Sequence, residues 1–143
     1  MAYCTSADLT ISISTTEVGR LTNDLGGITI NSLAVDDAIS KADKYINLKC
    51  RGTHTVPWTV TPEPIGWISV DLSIRNLYER RPDLEATKSL MGRWKRAEKL
   101  LTEIANGDLK IDDDTSFSNT AGIWASNKTT SSKVYTGTYL DTF

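Results

Sequence analysis

Histidine is almost missing from this 143-residue sequence: His54 is the only one. A metal cluster or proton relay built on several imidazoles is therefore excluded, and Ser-His-Asp or Cys-His chemistry would have to recruit this one loop residue. Cysteine is nearly as scarce. Cys4 and Cys50 form no CxxC pair and no metal-ligand spacing, and two cysteines do not make a secreted disulfide framework, so reduced thiols in a cytoplasmic product are expected. No stretch approaches the roughly 18 consecutive apolar residues of a membrane span. Met1-Ala2-Tyr3-Cys4-Thr5 lacks the basic and apolar regions of a secretory signal, so a soluble chain without a Sec-type leader is expected. Without a leader, the glycosylation pattern Asn127-Lys128-Thr129 carries no weight. Excess positive charge is missing too: the net charge is −2 and the pI near 5.4, against the basic footprint of a general nucleic-acid binder. There is no phosphate-cradling GxxxxGK[ST]. Asp112-Asp113-Asp114 does not open an EF-hand, because Phe117 and Ile123 stand where that loop needs glycine and glutamate. These absences predict no enzymatic activity, no cofactor and no metal.

What is present is helical periodicity. The chain is organised around Thr61–Pro82, where Thr61 is a candidate N-cap, prolines at 62 and 64 suit a first turn, and Pro82 ends the helix after Arg81. Its apolar residues fall on two stripes, Ile65, Ile68 and Leu72 on one and Trp67, Val70, Ile74, Leu77 and Tyr78 on the other. A surface helix carries only one stripe, so this is read as a central helix covered on two sides. Asp71, Arg75 and Glu79 at i, i+4 and i+8 predict pairing along the helix, worth roughly 0.2–0.5 kcal/mol per exposed pair.

Upstream, a short helix is predicted from a Ser6 cap to about Ile13, and a second from the Ser14/Glu17 capping box through Leu21. A turn at Asn23–Gly27 follows, and Asn31 or Ser32 can cap the next element. Ser32–Cys50 is strongly amphipathic, with Val35, Ala38, Ile39, Ala42, Tyr45 and Ile46 on one face, Asp36, Asp37, Ser40, Lys41, Asp43 and Lys44 on the other, and Gly52 as the expected stop. Thr53–Thr61 reads as an ordered extended loop. Leu84–Asn106 is the longest periodic segment and ends at a Gly107 cap. Ala86, Leu90, Trp94, Ala97, Leu101, Ile104 and Ala105 make its stripe, opposite Lys88, Lys95, Arg96 and Lys99. Short connections between these helices predict an all-α fold, a small helical bundle around a central helix comprising residues 1–107.

Residues 108–143 differ in composition. They are polar, lack helical period and read as an extended C-terminal arm punctuated by Phe117, Trp124, Tyr135, Tyr139, Leu140 and Phe143. Aromatics on a polar tail can order against a partner or fold back on the bundle, and the sequence leaves both open.

Three groups of residues together resemble one family: Met1-Ala2-Tyr3 with Thr5, Asp8 and Leu9; Asp71, Arg75, Leu77-Tyr78 and Arg80-Arg81-Pro82; and Ala97, Leu101, Ile104-Ala105 and Gly107. In order and spacing they are similar to the small helical head-tail connector proteins of Mu-like tailed phages and prophages, and Val134-Tyr135, Leu140 and Phe143 are similar to that family's aromatic ending. The resemblance implies a virion protein of the head-tail neck, present in the host cytoplasm during assembly. It implies a homo-oligomeric ring matching the dodecameric portal, with the portal protein on one side and a tail-side neck, stopper or tail-terminator protein on the other. In that setting the six residues of the arm are interface candidates toward the portal or a neighbouring subunit. Arg80, Arg81, Lys88, Lys95, Arg96 and Lys99 are candidates for interface contacts or for non-specific contact with packaged DNA in a channel. The basic residues also support a different reading, a small helical DNA-binding or regulatory protein, although Pro82 stands where a helix-turn-helix would place a short glycine-containing turn.

Overall fold

The computed structural model describes residues 2–111 and is all-α: five helices in chain order, with no strand among the described residues. They are α1 (Ser6–Ile13), α2 (Thr15–Thr22), α3 (Ser32–Cys50), α4 (Glu63–Arg80) and α5 (Lys88–Asn106). The arm from 112 onward, with its six aromatic and aliphatic candidates, lies outside the described residues.

Local chemistry fixes most of the ends. Thr5, rather than Ser6, caps α1 in a capping box: its side chain accepts the Asp8 N–H while the Asp8 carboxylate accepts the Thr5 N–H at 2.8 Å. Ser14 ends α1 and caps α2, its Oγ accepting the Glu17 N–H, and Asn31 caps α3 through the Leu33 N–H. Gly107 closes α5 in the left-handed region at φ 81°. Three further boundaries differ from expectation. Helix α3 ends through Arg51 in right-handed conformation, and the N–H groups of Thr53 and His54 return to the Cys50 carbonyl, so Gly52 does not serve as a left-handed cap. Pro62 rather than Thr61 is the N-cap of α4, with no side-chain cap, since a proline ring offers no acceptor; the Ile65 N–H turns back to the Pro62 carbonyl instead. Helix α5 begins at Lys88, after a Thr87 cap, and Leu84 sits in the preceding turn, where its N–H donates to the Arg81 carbonyl.

One cap is strained. Ser14 holds φ 78° and ψ 148°, a region almost reserved for glycine, because one residue must both leave α1 and enter α2. Glycine retains most of the N-cap preference. Ser14→Gly is therefore expected to stabilise the fold by about 1 kcal/mol, as read by urea denaturation; a loss of stability would show that the Ser14 hydroxyl outweighs the strain.

Helix α4 is central and packs against each of the other four helices. Its first stripe, Ile65, Ile68 and Leu72, is buried with Ala42, Ile46 and Cys50 of α3 and Ala97, Leu101 and Ile104 of α5. Ile74, Leu77 and Tyr78 are buried with Leu9, Val18, Leu21, Val35, Ala38 and Ile39, that is, with α1, α2 and the start of α3. The two stripes are thus divided by level along α4, and α3 serves both. Two side chains of the expected stripes are displaced outward: Trp67 is 44% exposed and Tyr45 of α3 is 37% exposed. Asp43, expected on the solvent face of α3, is buried at 7% exposure. The expected ladder on α4 is also split. Arg75 bonds Glu79 at 2.8 Å and reaches Glu98 on α5, while Asp71 pairs with Arg93 of α5 instead of Arg75.

Candidate interaction surface

The N-terminal residues enter the bundle through a buried carboxylate. Tyr3 N–H donates to Asp43 Oδ2 at 3.1 Å and Ser69 Oγ donates to Asp43 Oδ1 at 2.8 Å; Cys4 Sγ lies 3.3 Å from Ser69 Oγ. Tyr3 OH donates to Asn47 Oδ1 and accepts the Trp58 N–H at 3.3 Å, and its ring meets the edge of Trp58 at 5.6 Å. Burial raises the Asp43 carboxyl above its ordinary range against the lowering effect of these donors. Burial likewise raises both thiols, Cys50 to about 11, which keeps them protonated and weakly reactive. Both cysteines are free and buried.

With Tyr3 and Cys4 fixed, α1 lies across α4 and leaves an open groove of about 780 Å³ bordered by α1, the first half of α4 and α5. Its apolar lining includes Ile11, 84% exposed, and Trp67, together with Val70 and Pro62. Trp67 faces outward because Ile65 and Ile68 already fill the inner face of α4 at that level. The lining also holds polar groups: Arg93 bridges Asp71 and Ser12 Oγ, the latter at 2.8 Å, and Arg96 borders the groove as well. Apolar side chains around a few fixed polar groups form the usual composition of a recognition surface. No helix among the described residues is long and apolar enough to cross a membrane, and no group of metal-ligating side chains is assembled among them.

A family model described as Bacteriophage Mu, Gp36 matches residues 3–123, a span that takes in all five helices. The chain belongs to the bacteriophage Mu Gp36 family. No curated protein matches it.

In this Gp36-family bundle the basic candidates separate into two groups. Arg80 and Arg81 close the C-terminal end of α2. Arg80 donates to the carbonyls of Leu21 and Thr22 at 3.1 and 3.4 Å and pairs with Asp24 at 2.5 Å. Arg81 donates to the Asn23 carbonyl at 2.7 Å and pairs with Asp83 at 2.8 Å. Lys88, Lys95 and Lys99 are exposed along α5, with Lys99 3.8 Å from Glu103, whereas Arg96 belongs to the groove. Sequence reasoning missed the groove itself. Ile11 falls within the short helix predicted to about Ile13, and Trp67 in a stripe assigned to the core, so neither carried a signal of exposure. Arg93 was missed as well, since its partners Asp71 and Ser12 are distant in sequence.

Proposed function

We propose that this chain is a structural head-tail connector, an adaptor ring between the portal vertex and the tail-side neck component of a phage particle. Membership of the bacteriophage Mu Gp36 family is the observation that carries this reading. It is supported by a small bundle with an outward apolar groove, since ring assembly joins unlike surfaces head to tail and closes. The proposed partners are further copies of the chain, twelve to match a dodecameric portal, then the portal protein and a tail-side stopper or tail-terminator protein. The place of action is the virion neck, after assembly in the host cytoplasm. The role is mechanical, with no catalysis. The exposed Lys88, Lys95 and Lys99 strip is the proposed site of any non-specific contact with packaged DNA.

Electron microscopy of the virion neck, or of the chain mixed with its portal, is expected to show it as a ring of twelve there; a neck lacking the chain would overturn the proposal. The DNA-binding reading predicts tight duplex binding with a steep salt dependence. Of the basic residues that motivated that reading, Arg80 and Arg81 are engaged with carbonyls at the end of α2 and with neighbouring aspartates, while Lys88, Lys95 and Lys99 of the long helix are exposed.

A further inference from the structure

We infer that the α1–α4–α5 groove receives the 112–143 segment of a second copy of this chain; the inference rests on the multi-copy connector reading. Ile11 at 84% and Trp67 at 44% exposure leave an apolar surface that no described residue covers. Such a surface needs an occupant with bulky apolar side chains spaced along a polar backbone, because its apolar walls are interrupted by Arg93, Asp71 and Arg96. The chain carries that chemistry itself. Phe117, Trp124, Tyr135, Tyr139 and Phe143 are spaced along a largely polar stretch beyond Ile111, three of them beside an aliphatic neighbour, Ile123, Val134 and Leu140.

Ile111, the last described residue, packs against the core cluster that contains Tyr3, Ile65 and Ile104. Residues 112–143 number 32 and span up to about 100 Å when extended. The longest helices, α3 and α5, are each about 28 Å at 19 residues. The segment is long enough to cross onto an adjacent bundle. Exchange also satisfies closure, since each copy offers one groove and one segment and a head-to-tail ring fills every groove. A segment seated in its own groove would cover the same apolar surface without linking copies.

The test uses the full chain with a benzophenone amino acid at position 11 or 67, mixed in equal parts from isotopically light and heavy preparations, irradiated and mapped by mass spectrometry. Light-to-heavy crosslinks from the groove into residues 112–143 are expected. Crosslinks confined to one copy, crosslinks into residues 2–111 of a second copy, or no crosslinks each overturn the inference. Ile11→Glu and Trp67→Glu are expected to weaken self-association at least tenfold in sedimentation while helical content stays unchanged, because both side chains are substantially exposed. Unaltered association would count against the groove. The two readings fail separately: a neck ring with groove crosslinks elsewhere overturns only this inference, and groove-to-segment exchange in a chain absent from the neck overturns only the connector proposal.

Discussion

Gly19→Ala is expected to destabilise the folded chain by about 3 kcal/mol, although alanine in place of an interior helical glycine ordinarily stabilises by about 1 kcal/mol. The reversal comes from the loop that follows α2. A Cβ on Gly19 would lie 1.9 Å from the Ile28 carbonyl oxygen and 2.5 Å from its carbon, both backbone atoms. A flexible side chain could swing away from such a clash, but this backbone is tied to α2 immediately after Ile28. Thr22 Oγ1 accepts the Asn31 N–H at 3.1 Å, Asn23 Nδ2 donates to the Thr29 carbonyl at 3.4 Å, and Asn31 is itself the cap of α3. Relief must therefore come from moving α2 off the loop, which also disturbs Val18 and Leu21, both buried without exposure in the core beneath α4. Urea denaturation should show a lower midpoint at nearly unchanged slope, and thermal melting a fall of about 10 °C. A variant as stable as the parent would mean that the Ile28 peptide is free to turn aside.

Asp43→Ala should cost a similar amount, about 3 kcal/mol, because it strands two buried donors at once, the Tyr3 N–H and the Ser69 hydroxyl. Asp43→Asn should cost no more than about 1 kcal/mol: an amide oxygen can accept the Tyr3 N–H while its NH₂ donates to Ser69 Oγ. The pair of variants separates loss of hydrogen bonding from loss of charge. The pH dependence adds a second check. Since burial raises the Asp43 carboxyl above its ordinary 3.8, the native chain holds that proton more firmly than the unfolded chain does. The stabilising contribution of this linkage is fully present below the unfolded value and is lost as pH rises through the folded one. The stability of the parent relative to Asp43→Asn should accordingly decline as pH is raised from below 3.8 toward neutrality. Asp83 runs the opposite way, its carboxyl held low by the Arg81 hydrogen bond, but it is common to both proteins and cancels in the comparison. A relative stability that grows with pH would contradict the assignment.

Much of the architecture was legible because its causes are local. Ser14, Asn31 and Gly107 each cap from within one or two turns of their helix, and Pro82 stops α4 by geometry of its own ring. The two-sided apolar pattern of α4 marked it as central, since only a helix with neighbours on several sides can bury Ile65, Ile68, Ile74 and Leu77 together. The groove was illegible for the opposite reason. Periodicity reports how many apolar residues share a face, whereas the exposure of Trp67 and Ile11 depends on how α1 is laid across α4 by Tyr3, Cys4 and Asp43, contacts spanning about 40 to 70 positions of sequence.

Charge followed the same division. Arg75 met Glu79 as its i, i+4 spacing required, but Asp71 took Arg93 from α5, because a guanidinium arriving across the helix interface also reached Ser12. Asp43, polar by any sequence criterion, became a core residue because the entering N-terminal backbone brought it an N–H that water no longer supplied. Sequence by itself determined the helices, the central place of α4 and the Gp36-family character, through short-range spacing of caps, breakers and apolar residues. Only the tertiary structure decided which carboxylate is buried, which arginines are committed to helix ends and which apolar side chains face outward, because each of these depends on a partner that the chain delivers from far along its length.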